Sequence, residues 1–174
     1  MDNNFRFRQK HVLVTGAASG IGLEIARHFA REGAMLSMFD NNKQQLSLVA
    51  NEFSGTTNAL FTYAVDVSNR LQVESAVAPA KAKQPIDILN NNEGIAIQTP
   101  FLNIKEAEWR KVLDVNLTGM FFVAQCGLPE EIAPICLFLA GIESSFITDQ
   151  VIIADGRQLA GQKAGNSMLC ISLP

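Results

Sequence analysis

Gly16, Gly20 and Gly22 stand in the segment Thr15-Gly16-Ala17-Ala18-Ser19-Gly20-Ile21-Gly22, directly after the apolar run His11 to Thr15 and directly before a helix-period stretch. Glycines so spaced permit a tight turn, a backbone that approaches a pyrophosphate closely, and tight packing of a helix on a strand. The helix that follows presents free N–H donors and the positive end of its dipole to phosphates. Three glycines alone also suit an ordinary turn. The preceding strand, the following helix and a downstream acid point instead to a dinucleotide. That acid is Asp40, 24 positions after Gly16 and at the end of a second apolar run, where a carboxylate hydrogen-bonds the adenosine ribose. It repels a 2′-phosphate, and its neighbours Ser19 and Asn41 are neutral, so the expected cofactor is NAD rather than NADP. The other reading of Asp40 is a helix-capping or solvated carboxylate.

The elements that must position these residues follow from apolar spacing. His11 to Thr15, Met35 to Phe39, Leu60 to Val65 and Ile86 to Leu89 read as short strands, apolar on both faces and hence parallel and buried. Between them lie helical segments at Ile21 to Glu32, with Ile21, Ile25 and Phe29 on one face, at Lys43 to Phe53 after an Asn42 cap, and at Asn69 to Lys83 after Ser68. Pro79 should break or kink the third, since it donates no hydrogen bond. The pattern is α/β, a Rossmann-like doubly wound parallel sheet in order 3-2-1-4. A fourth helix, Ile104 to Gln125, is apolar almost all round and needs partners on two sides. A helix at Pro129 to Ala140, a strand at Gln150 to Ala154 and a tail in which Met168 to Leu173 is either strand or unstructured complete the chain. We read one nucleotide-binding domain over 1–174, with a cofactor-binding half at 1–125, a C-terminal helix and strand at 126–156 and the tail at 157–174.

Composition excludes several classes. The chain has 174 residues, 48% hydrophobic and 18% charged, against an average near ~25% charged. That suits a single globular domain burying roughly 70% of its extended surface. A net charge of −3 and pI near 5.4 supply no field for nucleic acid, and Arg6, Arg8 and Lys10 are too few to change that. Cys126, Cys136 and Cys170 lack C-x-x-C spacing and lie far from His11 and His28, which argues against zinc and disulfides. The longest apolar run, Ile132 to Ile142, is short of the ~20 residues that cross a bilayer. The expectation is a cytoplasmic protein with no metal, no membrane partner and no nucleic acid. His28 reads as solvated and Cys136 as a small core hydrophobe.

Beyond the glycines, the chain resembles the short-chain dehydrogenases/reductases. Thr15 to Gly22 is similar to that family's T-G-x-x-x-G-I-G, Asp66-Val67 to its adenine-contacting D-V, and Asn91-Asn92-Glu93-Gly94 to its N-N-A-G. Asn116, in Val115-Asn116-Leu117-Thr118-Gly119, resembles its helix-borne catalytic asparagine. Pro129 to Ala133, Phe138 to Ala140 and Phe146 through Gly156 resemble its P-E-E-I-A, F-L-A and I-T-G-Q…D-G-G. The resemblance implies cofactor contacts at Gly16, Ser19, Gly20, Ile21, Gly22, Asp40, Asp66, Val67, Asn92 and Gly94, and leaves Asn116 as a catalytic remnant.

The departures matter as much. The family's fifth-strand serine and its Tyr-x-x-x-Lys belong between the asparagine helix and P-E-E-I-A, yet here Gln125 runs through Cys126-Gly127-Leu128 straight into Pro129. Tyr63, the single tyrosine, is followed four residues on by Val67, and as a strand aromatic it reads as core. Moving a hydride requires a partner that moves the hydroxyl proton, and a phenol does so near neutrality only when a cation lowers its pKa. Glu93 replaces the family's alanine and brings a carboxylate toward the phosphates; Asp114 reads as a solvated helix position. Asp149 and Arg157 replace glycines of the C-terminal motif. The expectation is an NAD-binding oxidoreductase-family protein impaired in catalysis. The alternatives are a dehydrogenase completed by a partner chain, acting on an unidentified small molecule, or a non-enzymatic subunit pairing with a full-length relative. Loss of two strands exposes the edge of the fourth, which Gln150 to Ala154 could cover. It also bares a helix face at Trp109, Leu113, Phe121 and Ala124, which suggests a dimer or larger assembly.

Overall fold

The computed structural model describes residues 5–57, 59–127, 151–154 and 168–172, the last two stretches through their backbone alone. Strands β1 (His11–Thr15), β2 (Met35–Asp40), β3 (Ala59–Ala64) and β4 (Ile88–Asn90) alternate with helices α1 (Gly20–Arg31), α2 (Lys43–Ala50) and α3 (Arg70–Lys83). They form a parallel sheet in order 3-2-1-4, as the apolar runs require. Helices cover both faces. Leu23 and Ala26 of α1 and Leu46 and Val49 of α2 pack on Val12, Val14, Leu36 and Met38. On the other face Val73 and Val77 of α3, with Val123 and Ala124, pack on Leu13, Phe39 and Leu89.

Helix α1 corrects one expectation. Its buried residues are Gly22, Leu23, Ala26 and Ala30, whereas Ile21 is 74% exposed and Ile25 and Phe29 are half-buried. Small side chains let the helix lie close to the sheet and displace the bulky ones to its flank. There Ile21, Ile25 and Phe29 line an open groove of about 790 Å³ with Phe7. Phe7 meets Phe29 edge-on.

The caps follow local chemistry. Asn42 accepts a hydrogen bond from the Gln45 N–H at 3.0 Å, as expected. For α3 the cap is Asn69 rather than Ser68, its side chain accepting from the Gln72 N–H at 3.2 Å. Ser68 instead donates to Asp66 through both N–H and Oγ. Helix α3 runs on through Pro79. The proline lies on the exposed side of the helix, so the hydrogen bond it cannot donate is lost at the surface and not in the core.

The long fourth helix is three pieces: α4 (Glu106–Leu113), a π-helical segment Asp114–Gly119, and α5 (Met120–Gly127). Ala124 is buried and Phe121 half-buried, so neither belongs to an open face. Trp109 at 55% and Leu117 at 50% exposure, with Leu113 between them, form the apolar stripe that is open. The segment predicted at Pro129 to Ala140 lies outside the described residues.

The sheet's far edge differs from expectation. Strand β6 (Met168–Ser172) pairs parallel with β4, and β5 (Val151–Ala154) lies outside it, antiparallel, giving the full order 3-2-1-4-6-5. Both segments are apolar and pair with each other antiparallel, so they enter the sheet as a unit and just one of them meets β4.

At the other end of β1 lies a buried polar cluster with no sequence signature. His11 is fully buried, its Nε2 is 2.8 Å from Ser37 Oγ and its Nδ1 2.8 Å from the Gln84 carbonyl. The carbonyl fixes the proton on Nδ1, so Ser37 donates to Nε2. Burial holds His11 below the ordinary imidazole range. Asp87 accepts from the His11 N–H at 2.8 Å and from Lys10 Nζ at 3.1 Å. Ser37→Ala strands the buried Nε2 without a donor and is expected to cost about 1–3 kcal/mol, measured by urea unfolding at pH 7.5.

Candidate functional site

The glycine turn forms where β1 ends, and its shape is enforced by contacts. Gly16 and Gly20 hold φ of 63° and 53°, a region that favours glycine. At Gly22 a Cβ would lie 2.1 Å from the Gly16 carbonyl oxygen, so any side chain there pushes α1 off the turn. Neighbouring strand ends tie the turn down. The Ala17 N–H donates to the Phe39 carbonyl at 3.1 Å and the Ala18 N–H to Asp40 Oδ2 at 3.0 Å.

Asp40 is 8% exposed, and its other oxygen accepts from the Asn42 N–H at 2.9 Å. It is thus neither the helix cap, which is Asn42, nor a solvated group. It braces the turn from the tip of β2. Ser19 and Ile21 stand exposed at the start of α1.

Thr15, which the sequence marks only as the first letter of its motif, joins β1 to the segment after β4. Its Oγ1 accepts from the Asn92 N–H at 3.0 Å and the Glu93 N–H at 2.9 Å, while Asn92 Nδ2 donates to the Thr15 carbonyl at 3.2 Å. Asn91 Nδ2 donates to the Met120 carbonyl at 3.1 Å. Gly119 is a second residue that motif reading passes over: a Cβ there would lie 2.8 Å from Val67 Cγ2, so only glycine lets the π-helical segment rest on the Asp66-Val67 loop.

Asn116 clamps a loop. Its Oδ1 accepts from the Ile95 N–H at 2.8 Å and its Nδ2 donates to the Ile95 carbonyl at 2.9 Å, fixing the chain just past Gly94. Asp66 is exposed and Val67 buried beneath it. Asp114 is exposed. Tyr63 packs edge-on against Phe39 with centroids 5.2 Å apart, and burial pushes its phenol above the ordinary value. It is a sheet residue, and among the described residues no cation lowers its pKa.

Asn41, Asp66, Val67, Glu93, Ile95 and Arg110 line a groove of about 410 Å³ beside the turn. Glu93 is its anomaly. Its Oε2 is buried without a hydrogen-bond partner and lies 3.2 Å from where a Cβ on Gly16 would be. Burial first, then the charges of Asp40 and Asp66, push its carboxyl from 4.5 up to about 6, against the pull of the Gly16 backbone.

A parallel sheet in order 3-2-1-4, with helices on both faces, a glycine turn capping its first strand and an acid at the tip of the second, defines a Rossmann-like fold. Residues 10–133 match the short chain dehydrogenase family, and the chain belongs to it. It is 37% identical over 125 residues to the 3-oxoacyl-(acyl-carrier-protein) reductase FabG of Thermotoga maritima, covering 71% of this chain and 51% of that protein. A short-chain type dehydrogenase/reductase from Mycobacterium marinum superposes with a TM-score of 0.67 at 30% identity, over 73% of this chain and 53% of that one. The 3-ketoacyl-(acyl-carrier-protein) reductase of Brucella melitensis, solved with NADH, gives 0.64 at 29% identity, over 73% and 50%. The chain therefore spans about half the length of the relatives it matches. Among the described residues no helix is long and apolar enough to cross a membrane, and no group of side chains is placed to hold a metal ion.

Glu93 carries a stability consequence. Folded, the carboxyl keeps its proton up to about 6; unfolded, it loses it near 4.5, so stability falls as the pH rises from about 4.5 to about 6. Discounted for partial exposure, the loss above pH 6 is about 1 kcal/mol. Glu93→Gln is expected to melt about 2–4 °C higher than the parent at pH 8 and level with it at pH 4.5, by calorimetry.

Proposed function

We propose that this chain is a dinucleotide-binding member of its family that prefers NAD to NADP and, by itself, does not oxidise alcohols or reduce ketones. The observation that carries the first part is the braced turn with Asp40 buried beside it. Gly16, Gly20 and Gly22 leave backbone where phosphates need it, and Ala18 and Asn42 hold the Asp40 carboxylate in place. A nicotinamide cofactor bound here supplies hydride chemistry. Ser19, Gly20 and Ile21 at the α1 N-terminus would hold its phosphates, Asp40 its adenosine ribose, Asp66 and Val67 its adenine, and Asn92 and Gly94 the segment beyond. With neutral Ser19 and Asn41 as neighbours, Asp40 disfavours a 2′-phosphate.

The second part rests on the sequence between Gln125 and Pro129, which leaves no room for the family's serine and Tyr-x-x-x-Lys. Of the catalytic set Asn116 remains, and an amide exchanges no proton as acid or base. Tyr63 lies on β3 with its phenol raised by burial. NADH is expected to bind roughly tenfold tighter than NADPH by fluorescence titration, because one phosphate meets a fixed carboxylate. A screen of alcohols and ketones should show no rate above background, consistent with loss of an acid/base contribution of about 10²–10⁴-fold. Equal NADPH affinity, or turnover abolished by Tyr63→Phe, would sink the respective half of the proposal.

The stripe Trp109, Leu113 and Leu117 favours a second reading, in which this chain pairs with another copy or with a fuller relative through α4 and the π-helical segment. Sedimentation at micromolar concentration should show a dimer or larger species for the parent chain and a shift toward monomer for Leu117→Glu. A parent chain that sediments as a monodisperse monomer counts against it.

A further inference from the structure

Glu93 occupies the wrong place for a carboxylate. It follows directly on Asn92, whose amide reaches over to the Thr15 carbonyl, and its own N–H is held by Thr15 Oγ1, so the backbone cannot carry it away from the turn. Its Oε2 is sealed from water and lies against Gly16, the first glycine of the turn, whose backbone is the one neighbour among the described residues that lowers its pKa. The charged groups around it give little relief. Asp40 from the tip of β2 and Asp66 from the loop after β3 both raise its pKa. Arg110, Lys111 and Asp114 line the same groove from α4 and the π-helical segment, but Arg110 is engaged by Glu106 on its own helix. The nearest compensating dipole is the Gly16 backbone, in the same turn whose later residues, Ser19 to Ile21, would hold a dinucleotide's phosphates.

We propose that Glu93 is an internal anion that competes with the cofactor's phosphates for the glycine turn, so that the dinucleotide binds the form in which this carboxyl has taken up a proton. The proposal rests on the reading of the turn as a dinucleotide site. A carboxylate lying against Gly16 and a phosphate seated on the same turn are two anions at close range, and they repel because the partly buried surroundings screen the charge less than water does. Protonation removes the conflict and turns the side chain into a donor that a phosphate oxygen accepts. Asp40 and Asp66 stay where they are in both states.

NADH titrations at several pH values between 5.5 and 8 on the parent chain, Glu93→Gln and Glu93→Ala decide the matter. One-proton linkage predicts that the parent loses affinity by about tenfold for each pH unit above about 6, while both variants hold a flat profile and bind about 30-fold tighter than the parent at pH 7.5. Calorimetry of NAD binding at pH 7.5 in two buffers of different ionisation enthalpy should count close to one proton taken up by the parent and none by Glu93→Gln. Equal affinity of parent and variants at pH 7.5, or a parent slope that both variants retain, overturns the role of Glu93 and leaves the dinucleotide reading standing. Failure of all three proteins to bind either nucleotide at any pH, with unchanged circular dichroism, overturns the dinucleotide reading and this inference with it.

Discussion

The contact between Gly22 and the Gly16 carbonyl is the constraint on which the rest of the site depends. The first turn of α1 rests on the end of β1 at a distance that no side chain tolerates, and every other brace exists because the two are that close. Phe39 and Asp40 reach the turn from β2, and Asn92 reaches it from the segment after β4, because those strands flank β1 in parallel register. The shape of the glycine turn is thus a property of three adjacent strand tips rather than of one loop. The same closeness explains the small residues of α1, whose Ala26 and Ala30 continue down the sheet what Gly22 begins.

The second organising feature is how the loop after β4 is held. Asn91 binds the Met120 carbonyl, Asn92 and Glu93 bind Thr15, and Asn116 clasps both backbone groups of Ile95. The three consecutive motif positions Asn91, Asn92 and Glu93 are therefore occupied in joining β1, the loop and the α4–α5 unit. Asn116 and Gly119 both lie in the π-helical segment, where the extra residue per turn lets one side chain face the loop and the neighbouring backbone press on Val67. These interactions need none of the family's serine, tyrosine or lysine, so the half of the chain around the glycine turn retains its internal bracing without them.

Two polar systems at opposite ends of β1 illustrate how burial sorts the same kinds of groups. At the start of the strand, His11, Ser37 and the Gln84 carbonyl satisfy one another, and the cluster is a fixed part of the core. At its end, Glu93 is buried in part and left without a donor, with two further carboxylates nearby. A completed network stabilises; an incomplete one marks a place where a ligand or a proton changes the balance.

The sequence by itself determined the α/β class, the strand order 3-2-1-4, the Asn42 cap and the family, because glycines, apolar runs and short motifs are local signals whose period and chemistry survive any packing. It also exposed the missing tyrosine and lysine, since an absent residue type needs no structure to be seen. Tertiary structure alone decided that Asp40 braces the turn, that Asn116 clamps Ile95, and that Gly119 is required by Val67, because each partner lies tens of residues away in the chain. It moved Ile21 and Ala124 to the opposite side of the burial boundary from the one their helical faces suggested, for a helical wheel gives the direction of a side chain but not the closeness of the neighbour it meets. It also chose β6 over β5 as the neighbour of β4, a choice between two apolar strands that composition cannot make.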